Sequence, residues 1–387
     1  MFKVLRFLSA GESHGPALTA ILDGLPAGLQ LDEQRIAAQL MRRQGGYGRG
    51  GRMKIEHDEV EFLGGVRFGR TTGAPVSLLL RNRDHENWGQ ALAAFGAAEA
   101  GEERRLSRPR PGHADLTGML KYGHQDARDI LERASARETA VRVAAGEVAR
   151  ALLAAVGGAV FSHVIQVGAA QASLEGLDDA TVESRAADSP LHCADNEAAM
   201  IAEVDAARAD GDTVGGVFEV VVTGLPVGLG SCMAPDRRLD ARLAMAVLSV
   251  PAVKGCEFGP AFANAGLRGS QVHDEIQAGG QRVANRAGGL EGGMSTGQAL
   301  RVRGAMKPIS TLRRALGSID MDTGKAAPAG FERSDSCALP AAGVVAEAAV
   351  SLVLADALLE SFGADRMDAI VDRVRRHADE VARRLDA

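Results

Sequence analysis

The chain has 387 residues, of which 46% are hydrophobic and 24% are charged. This length and composition fit a folded protein with a sizeable core, and they exclude a disulfide-stapled miniprotein and a disordered chain. The net charge of −6 argues against a dedicated nucleic-acid-binding protein, because such domains carry a strong basic excess.

Cysteine spacing and hydrophobic runs restrict the class further. The four cysteines are far apart and form no Cys-x-x-Cys motif, so neither a disulfide framework nor a metal site is predicted. The N-terminal residues lack the apolar core of a signal peptide, and no apolar run reaches the roughly 18 residues of a membrane span. We therefore expect a cytoplasmic protein that does not enter a membrane.

Two parts of the chain repeat each other in order. Residues 11–29 recur at 211–229 with seven of 19 positions identical. Further matches follow in chain order: Leu31-Asp32 with Leu239-Asp240, His57 to Val60 with His273 to Ile276, Gly64 to Gly73 with Gly288 to Gly297, and Glu147 with Glu347. This order predicts an internal duplication, about 11–156 and 211–362, packed around a pseudo-twofold axis with one strand order in both halves.

Each half is predicted to begin with a strand and to end with helices. Strands are expected at 17–22 and 217–222, where β-branched and apolar residues precede a Gly-Leu-Pro turn. Apolar residues at helical spacing predict helices at 32–43, 134–156, 238–248, 342–362 and 364–387. The Ala-rich helices 134–156 and 342–362 are expected in the core, and 364–387 on the surface.

Arginines gather in three segments that favour anion binding. These are Arg42 to Lys54, which contains five cations and several glycines, Arg108 to His113, and Arg133 to Glu138. Glycines let the backbone approach a ligand, prolines stiffen the second segment, and Ser135 suggests a helix start whose free N–H groups suit phosphate. For any one segment, the alternative is that its arginines are ordinary solvent-exposed surface residues. Three such segments in a chain of net negative charge favour an anion site.

Two groups that can move protons occur in one half and not in the other. His14 corresponds to Val214, and Asp335 corresponds to Ser135. His113 ends the second arginine segment and directly follows its arginines, where a proton donor beside an anion would be useful. A structural role is the alternative for His14. However, its counterpart is Val214, so the fold evidently does not need an imidazole at this position in both halves. Neither a P-loop nor a Rossmann fingerprint is present.

Three segments together resemble the signature regions of the chorismate synthase family. They are Gly11 to Gly15, Arg133 to Thr139 and Arg333 to Asp335. Segments Arg110 to Asp115, Asn285 to Met294 and Met306 to Thr311 also fit, so the resemblance covers about residues 1–365. One departure is Asp129 to Glu132, where another branch of the family has a glycine run.

The resemblance implies a fold and an activity. The fold is an α+β, internally duplicated β-α-β sandwich, with a helical layer between two antiparallel sheets, in a single domain over 1–387 and usually a homotetramer. The activity is that of a monofunctional lyase of the shikimate pathway, which makes the precursor of the aromatic amino acids. It eliminates phosphate from 5-enolpyruvylshikimate 3-phosphate in an anti-1,4 sense to give chorismate. Reduced FMN is required, and since the repeated halves leave no reductase segment, an external flavin reductase or supply of reduced flavin is expected.

The resemblance also implies roles for particular residues. His14 would protonate the departing phosphate, His113 the reduced flavin, and Asp335 would relay a proton at the flavin ring nitrogen. Substrate or NADP contacts fall on Ser13, Arg43, Arg49, Arg110 and Arg137. FMN contacts fall on Arg133, Ala134, Ser135, Pro251, Ala252, Gly293, Lys307, Pro308, Ile309, Ser310, Thr311 and Arg333. A substrate with a phosphate and two carboxylates would use several guanidinium groups.

Two alternatives make different predictions. A different FMN- or phosphosugar-dependent lyase on the same scaffold would respond to another phosphorylated acid, which the absorbance of bound flavin would reveal. An RNA-binding protein with basic loops would bind less tightly as salt rises. Aromatic residues make up only 4% of the chain, which counts against the second alternative.

Overall fold

Two antiparallel sheets enclose a layer of helices in the structure of this chain, a computed structural model that describes residues 2–50, 58–96, 98–332, 335–363 and 365–386. The strands are β1 (Arg6–Ala10), β2 (Ala17–Asp23), β3 (Val60–Gly64), β4 (Val66–Arg67), β5 (Arg70–Thr71), β6 (Val76–Arg81), β7 (Ala159–Val167), β8 (Ala170–Gln171), β9 (Gly216–Thr223), β10 (Val253–Phe258), β11 (Leu290–Glu291), β12 (Met294–Ser295), β13 (Leu300–Met306), β14 (Gly317–Ile319) and β15 (Ala326–Pro328). The α-helices are α1 (Glu33–Gln44), α2 (Asp115–Tyr122), α3 (Arg128–Ala134), α4 (Thr139–Ala154), α5 (Asp179–Asp188), α6 (Glu197–Ala209), α7 (Leu239–Leu248), α8 (Ala261–Asn264), α9 (Gly269–Val272), α10 (Leu339–Phe362) and α11 (Met367–Leu385). Short 3₁₀ helices cover Arg83–Trp88, Ala98–Arg104, Ala136–Glu138 and Pro235–Arg237.

The two sheets have the same order of corresponding strands. The first sheet runs β1-β2-β6-β3 and the second β10-β13-β9-β7-β8, with antiparallel neighbours throughout. In chain order, β2, α1, β3, the β4–β5 hairpin and β6 of one half correspond to β9, α7, β10, the β11–β12 hairpin and β13 of the other. The strand order expected from the repeat is therefore found, and the α+β class is confirmed.

One sequence match between the halves, 57–60 with 273–276, pairs residues that belong to different structural elements. Val60 begins β3, whereas 273–276 lies between β10 and β11, after the strand that corresponds to β3. His57 lies outside the described residues. The alignment was wrong here because the second half carries a long insertion after β10, at 259–289, and connecting segments tolerate insertion.

Most predicted helices form, with one shifted start. Asp32 caps α1, since its side chain accepts a hydrogen bond from the Gln34 N–H at 2.9 Å. The helix predicted to start at 134 is divided, because Ser135 has extended backbone with φ −64° and ψ 143°. A 3₁₀ turn follows, and α4 begins only at Thr139.

Helices α4 and α10 form the centre of the helical layer. Helix α4 packs on β2 and β6, α10 packs on β7 and β9, and the two helices pack along each other. Gly146 permits this approach, because a Cβ there would lie 2.2 Å from the Cβ of Ala348. Helix α10 is long and apolar enough to span a membrane, but its most apolar window is entirely buried, as in the core helix of a globular protein.

A buried ion-pair network joins the halves at Glu347, which lies in α10. Its carboxylate accepts hydrogen bonds from Arg42 at 2.9 and 3.0 Å, from Arg150 at 2.7 Å and from Ser162 at 2.6 Å. Burial alone would raise the pKa of Glu347, but these arginines and the hydroxyl outweigh it and lower the pKa.

The repeat counterpart of Glu347, Glu147, has weaker partners. Arg35 and Arg150 approach it at 3.3 and 3.4 Å, and its Oε2 has no hydrogen-bond partner among the described residues. Burial therefore raises the pKa of Glu147, and the two arginines offset only part of this effect. The duplicated carboxyls thus differ in the sign of their pKa shift.

We expect Glu147→Gln to increase the free energy of unfolding at pH 7 by roughly 1 kcal/mol, because a poorly satisfied buried charge is removed. Since the pKa is raised in the folded protein, the gain should be absent below the ordinary glutamate pKa and grow as pH rises through the folded value. Urea unfolding between pH 4 and 8 measures it. Glu347→Gln is the matched control and should destabilise by about 3 kcal/mol. A destabilising Glu147→Gln would contradict the assignment.

Candidate active site

His14 lies in the loop between β1 and β2, and a buried carboxylate holds it. Its Nδ1 is 2.8 Å from Glu132 Oε1, and its backbone N–H donates to Glu132 Oε2 at 2.8 Å. Arg128, one turn earlier in α3, donates to the same carboxylate at 3.2 Å. Burial alone would raise the pKa of Glu132, but His14 and Arg128 outweigh it and lower the pKa. A carboxylate at Nδ1 directs that ring proton toward Glu132 and leaves Nε2 as the exchanging nitrogen.

The His14 loop has a fixed shape because its backbone groups are bonded on both sides. Gly11 has φ +106°, and a Cβ there would lie 2.4 Å from the carbonyl oxygen of Ala17, so only glycine fits. The amide of Asn82 donates to the carbonyl oxygens of Glu12 at 3.0 Å and Gly15 at 2.7 Å. Asn82 follows β6, so the first sheet positions this loop.

Two arginines predicted to contact anions share the buried carboxylate of Asp58. Arg43 Nη2 donates to it at 2.8 Å, and Arg137 forms an ion pair with its other oxygen. Burial alone would raise the pKa of Asp58, but the two guanidinium groups lower it. Arg137 Nε also donates to Asn82 Oδ1 at 2.8 Å, which connects this pair to the His14 loop. Arg43 is 3% exposed, so in this arrangement its guanidinium faces Asp58.

Asp335 and Arg49, which were expected in different roles, are ion-pair partners. The backbone N–H of Gly50 also donates to Asp335 Oδ1 at 2.6 Å. Arg49 Nη2 donates to the carbonyl oxygen of Arg43 at 3.4 Å, so the pair lies directly beside the Asp58 cluster. Segments from both halves therefore meet at this point of the site.

A second histidine cluster forms around Asp115 at the start of α2. Asp115 is 1% exposed, and its carboxylate accepts from Arg110 Nε at 2.8 Å and contacts Nδ1 of His113. Burial alone would raise the pKa of Asp115, but His113 and Arg110 lower it well below its ordinary value. Arg110 Nη1 donates to Thr311 Oγ1 at 3.0 Å, and Lys307 Nζ to the carbonyl oxygen of Gly112 at 3.0 Å. Segments 110–115 and 307–311 are thus in contact.

The residues expected around FMN fall beside these two clusters, with two exceptions. Ser135 Oγ is 3.0 Å from Ser13 Oγ, and Arg133 donates to the carbonyl oxygens of Gly11 and Ser9. Ala134 ends α3 next to them. Gly293 instead has described contacts with Arg238 and Leu239, and Arg333 lies outside the described residues.

The segment 307–311 and its neighbour Ala252 form the other part of the expected FMN site. The Lys307 N–H donates to the carbonyl oxygen of Ala252 at 3.0 Å, and Ala252, after Pro251, has φ +68°. A positive φ in a residue with a side chain is strained, and such strain clusters at functional sites. Thr213 Oγ1 donates to the carbonyl oxygen of Ile309 at 2.7 Å, which fixes the segment between Pro308 and Ser310.

Sequence reasoning missed the carboxylates that organise the site. Asp115 lies in a segment that resembles the family, and Asp58 lies in a segment that is matched between the two halves. Glu132 has Glu332 as its counterpart in the second half. These sequence patterns mark the three carboxylates, but none of them identifies the cation with which the carboxylate pairs. Asn82, which connects two clusters, gave no signal in the sequence.

Comparisons with known proteins agree over nearly the full length. Residues 5–359 match the family model described as chorismate synthase. Chorismate synthase of Chlorobaculum tepidum is 55% identical over 385 residues, 96% of this chain and 97% of that protein. Chorismate synthase of Bacillus subtilis (strain 168) is 51% identical over 385 residues, again 96% and 97%. A crystal structure of chorismate synthase matches with a TM-score of 0.80 and 38% identity, and covers 99% of this chain and 100% of that one.

The Arg49–Asp335 pair is expected to couple strongly. A double-mutant cycle of Arg49→Ala and Asp335→Asn, measured by urea unfolding, should give a coupling energy of about 1–3 kcal/mol, because both side chains are largely shielded from water. The exposed Arg81–Glu61 pair is the control, and its coupling should stay below about 1 kcal/mol. Equal coupling in the two cycles would show that Asp335 is not held by Arg49.

Proposed function

Because the chain belongs to the chorismate synthase family, we propose that His14 and His113 supply the proton transfers of the family's reaction. The chain is a lyase: it eliminates phosphate from 5-enolpyruvylshikimate 3-phosphate in an anti-1,4 sense and produces chorismate. Family membership decides against the RNA-binding and other-lyase alternatives.

The observation that carries the proposal is the shared surrounding of the two imidazoles. Each Nδ1 contacts a buried carboxylate, Glu132 for His14 and Asp115 for His113, and each carboxylate also binds an arginine. At His14 this arrangement leaves Nε2 to exchange a proton, whereas at His113 the Arg110 Nη2 also lies 3.0 Å from Nδ1, beside the carboxylate. Two imidazoles that each contact a buried carboxylate suit two separate proton transfers.

His14 is the donor to the departing phosphate in this proposal. As the carbon–oxygen bond breaks, its electron pair stays on the phosphate oxygen, and the proton on His14 Nε2 neutralises the developing charge. Arg137, Arg49 and Arg110, with Ser13, bind the phosphate and carboxylates of the substrate or NADP. Arg43 supports them by holding Asp58, which in turn holds Arg137. The substrate ring also loses a proton from carbon as the new double bond forms, and Asp335 would relay a proton at the ring nitrogen of the bound flavin.

The residues expected at the flavin fit the chemistry of FMN. Lys307, Ser310 and Thr311 place one cation and two hydroxyl groups on a segment in contact with the His113 loop, a donor set suited to a phosphate. Gly112 has φ +76°, a left-handed backbone conformation that favours glycine at this contact. Arg133, Ser135 and Ala252 complete the proposed set. When bound, reduced FMN supplies electron density to the elimination and is recovered unchanged. His113 holds a proton toward it.

The proposal extends to the state of the protein in the cell. We propose a cytoplasmic homotetramer that takes FMN reduced by a separate reductase, as the resemblance implies. We also propose that the chain is one domain, because a single contiguous hydrophobic core contains residues of both repeats, 11–156 and 211–362.

Anaerobic phosphate release tests the cofactor requirement directly. With 5-enolpyruvylshikimate 3-phosphate as substrate, we expect release only when FMN has been reduced by dithionite or a reductase. Oxidised FMN with NADPH and no reductase should give little product. Equal rates with and without reduced FMN would overturn the assignment of the flavin.

His14→Ala is expected to lower kcat by roughly 10²-fold or more, because a positioned general acid is lost, while substrate and flavin still bind. Steady-state kinetics with a binding titration separates the two effects. His273→Ala, at an exposed histidine, is the control and should leave kcat within about twofold. If His14→Ala keeps normal turnover, its imidazole is not the acid.

A further inference from the structure

The single tryptophan of the chain stacks on the proposed acid. The rings of Trp88 and His14 have centroids 4.0 Å apart and planes inclined by 24°. Trp88 ends the 3₁₀ helix Arg83–Trp88, and Asp84 of the same helix lies 3.9 Å from His14 Nε2. The segment after β6 therefore covers one face of the imidazole.

Two arginines and two carboxylates lie beside this stack. Guanidinium carbons of Arg104 and Arg128 lie 4.8 Å from the centre of the Trp88 ring, and Glu132 and Asp84 flank the two nitrogens of His14. His85 Nδ1 is 2.8 Å from the carbonyl oxygen of His14. The arginines contact the indole, whereas the two carboxylates approach the imidazole itself.

The stack supplies a restraint that the hydrogen bonds do not. The bond from Nδ1 to Glu132 holds one edge of the imidazole but does not act on the faces of the ring. A flat indole on one face restrains tilting of the ring, and its electron-rich face attracts a protonated imidazole. Together the two contacts determine both the direction of Nε2 and the plane of the ring.

We propose that Trp88 is the positioning residue of His14, which orients Nε2 toward the departing phosphate and stabilises the imidazolium form. This inference rests on the proposed role of His14 as the acid. Trp88 itself transfers no proton.

Fluorescence of the native chain tests the contact without any turnover. Emission from the one tryptophan should rise as pH increases through the titration of His14, because a protonated imidazole quenches a stacked indole. His14→Asn should abolish this transition, and His85→Gln should keep it. A transition that survives in His14→Asn, or is missing in the native protein, would overturn the stacking claim.

Kinetics tests the consequence of the contact. Trp88→Leu should lower kcat about tenfold with little change in KM, and should move the loss of activity at high pH to a lower pH. Trp88→Phe should keep part of the native kcat and part of the native pH profile, since a flat ring remains. Phe95→Leu, an exposed aromatic in the same segment, is the matched control and should behave as the native protein.

The outcomes separate the two proposals. Native kcat and an unshifted pH profile in Trp88→Leu, or a Phe variant as poor as the Leu variant, would overturn the positioning role. Normal turnover of His14→Asn together with loss of its fluorescence transition would instead refute His14 as the acid and leave the stack in place.

Discussion

Positive groups crowded into one site repel one another, and buried carboxylates hold them together here. Asp58 joins Arg43 to Arg137, Glu132 joins Arg128 to His14, and Asp115 joins Arg110 to His113. Each carboxylate is almost fully buried, so the charge pairs are poorly screened by solvent. Removing any one of them would leave cations buried without a counter-charge. The site is therefore arranged before ligands bind, which favours catalysis by positioned charge.

The duplicated scaffold explains where these groups come from. The two sheets share one strand order, and the helices between them supply the core, but the loops differ. Loops of the first half carry His14, Asp58 and Trp88, while the second half contributes Asp335 and the segment 307–311. Because Val214 occupies the corresponding position of the second half, the fold does not require the imidazole of His14, and this imidazole is available for catalysis. The symmetry thus belongs to the core and the chemistry to the loops.

Sequence patterns predicted the core more fully than the site. Strand β2, its counterpart β9 and helices α1, α7, α10 and α11 were expected close to where they lie, because periodic burial determines them. The start of α4 was misplaced, since the extended conformation of Ser135 depends on tertiary contacts such as Ser13. His14 stood out as a difference between the halves, and His113 stood out by its place beside an arginine segment. The carboxylates of Glu132 and Asp115 did not stand out in the sequence, because their contacts with the histidines are visible only in the folded structure.

Nitrogen NMR of the histidine rings tests most directly whether the carboxylates prepare both imidazoles. In the protein labelled with ¹⁵N at histidine, above the pH at which the rings lose their charge, we expect His14 and His113 both to keep the proton on Nδ1, toward Glu132 and Asp115. The Nε2 signals should then be those of an unprotonated nitrogen. A proton on Nε2 with a bare Nδ1 at either ring would contradict the account, because that ring would not donate to its carboxylate.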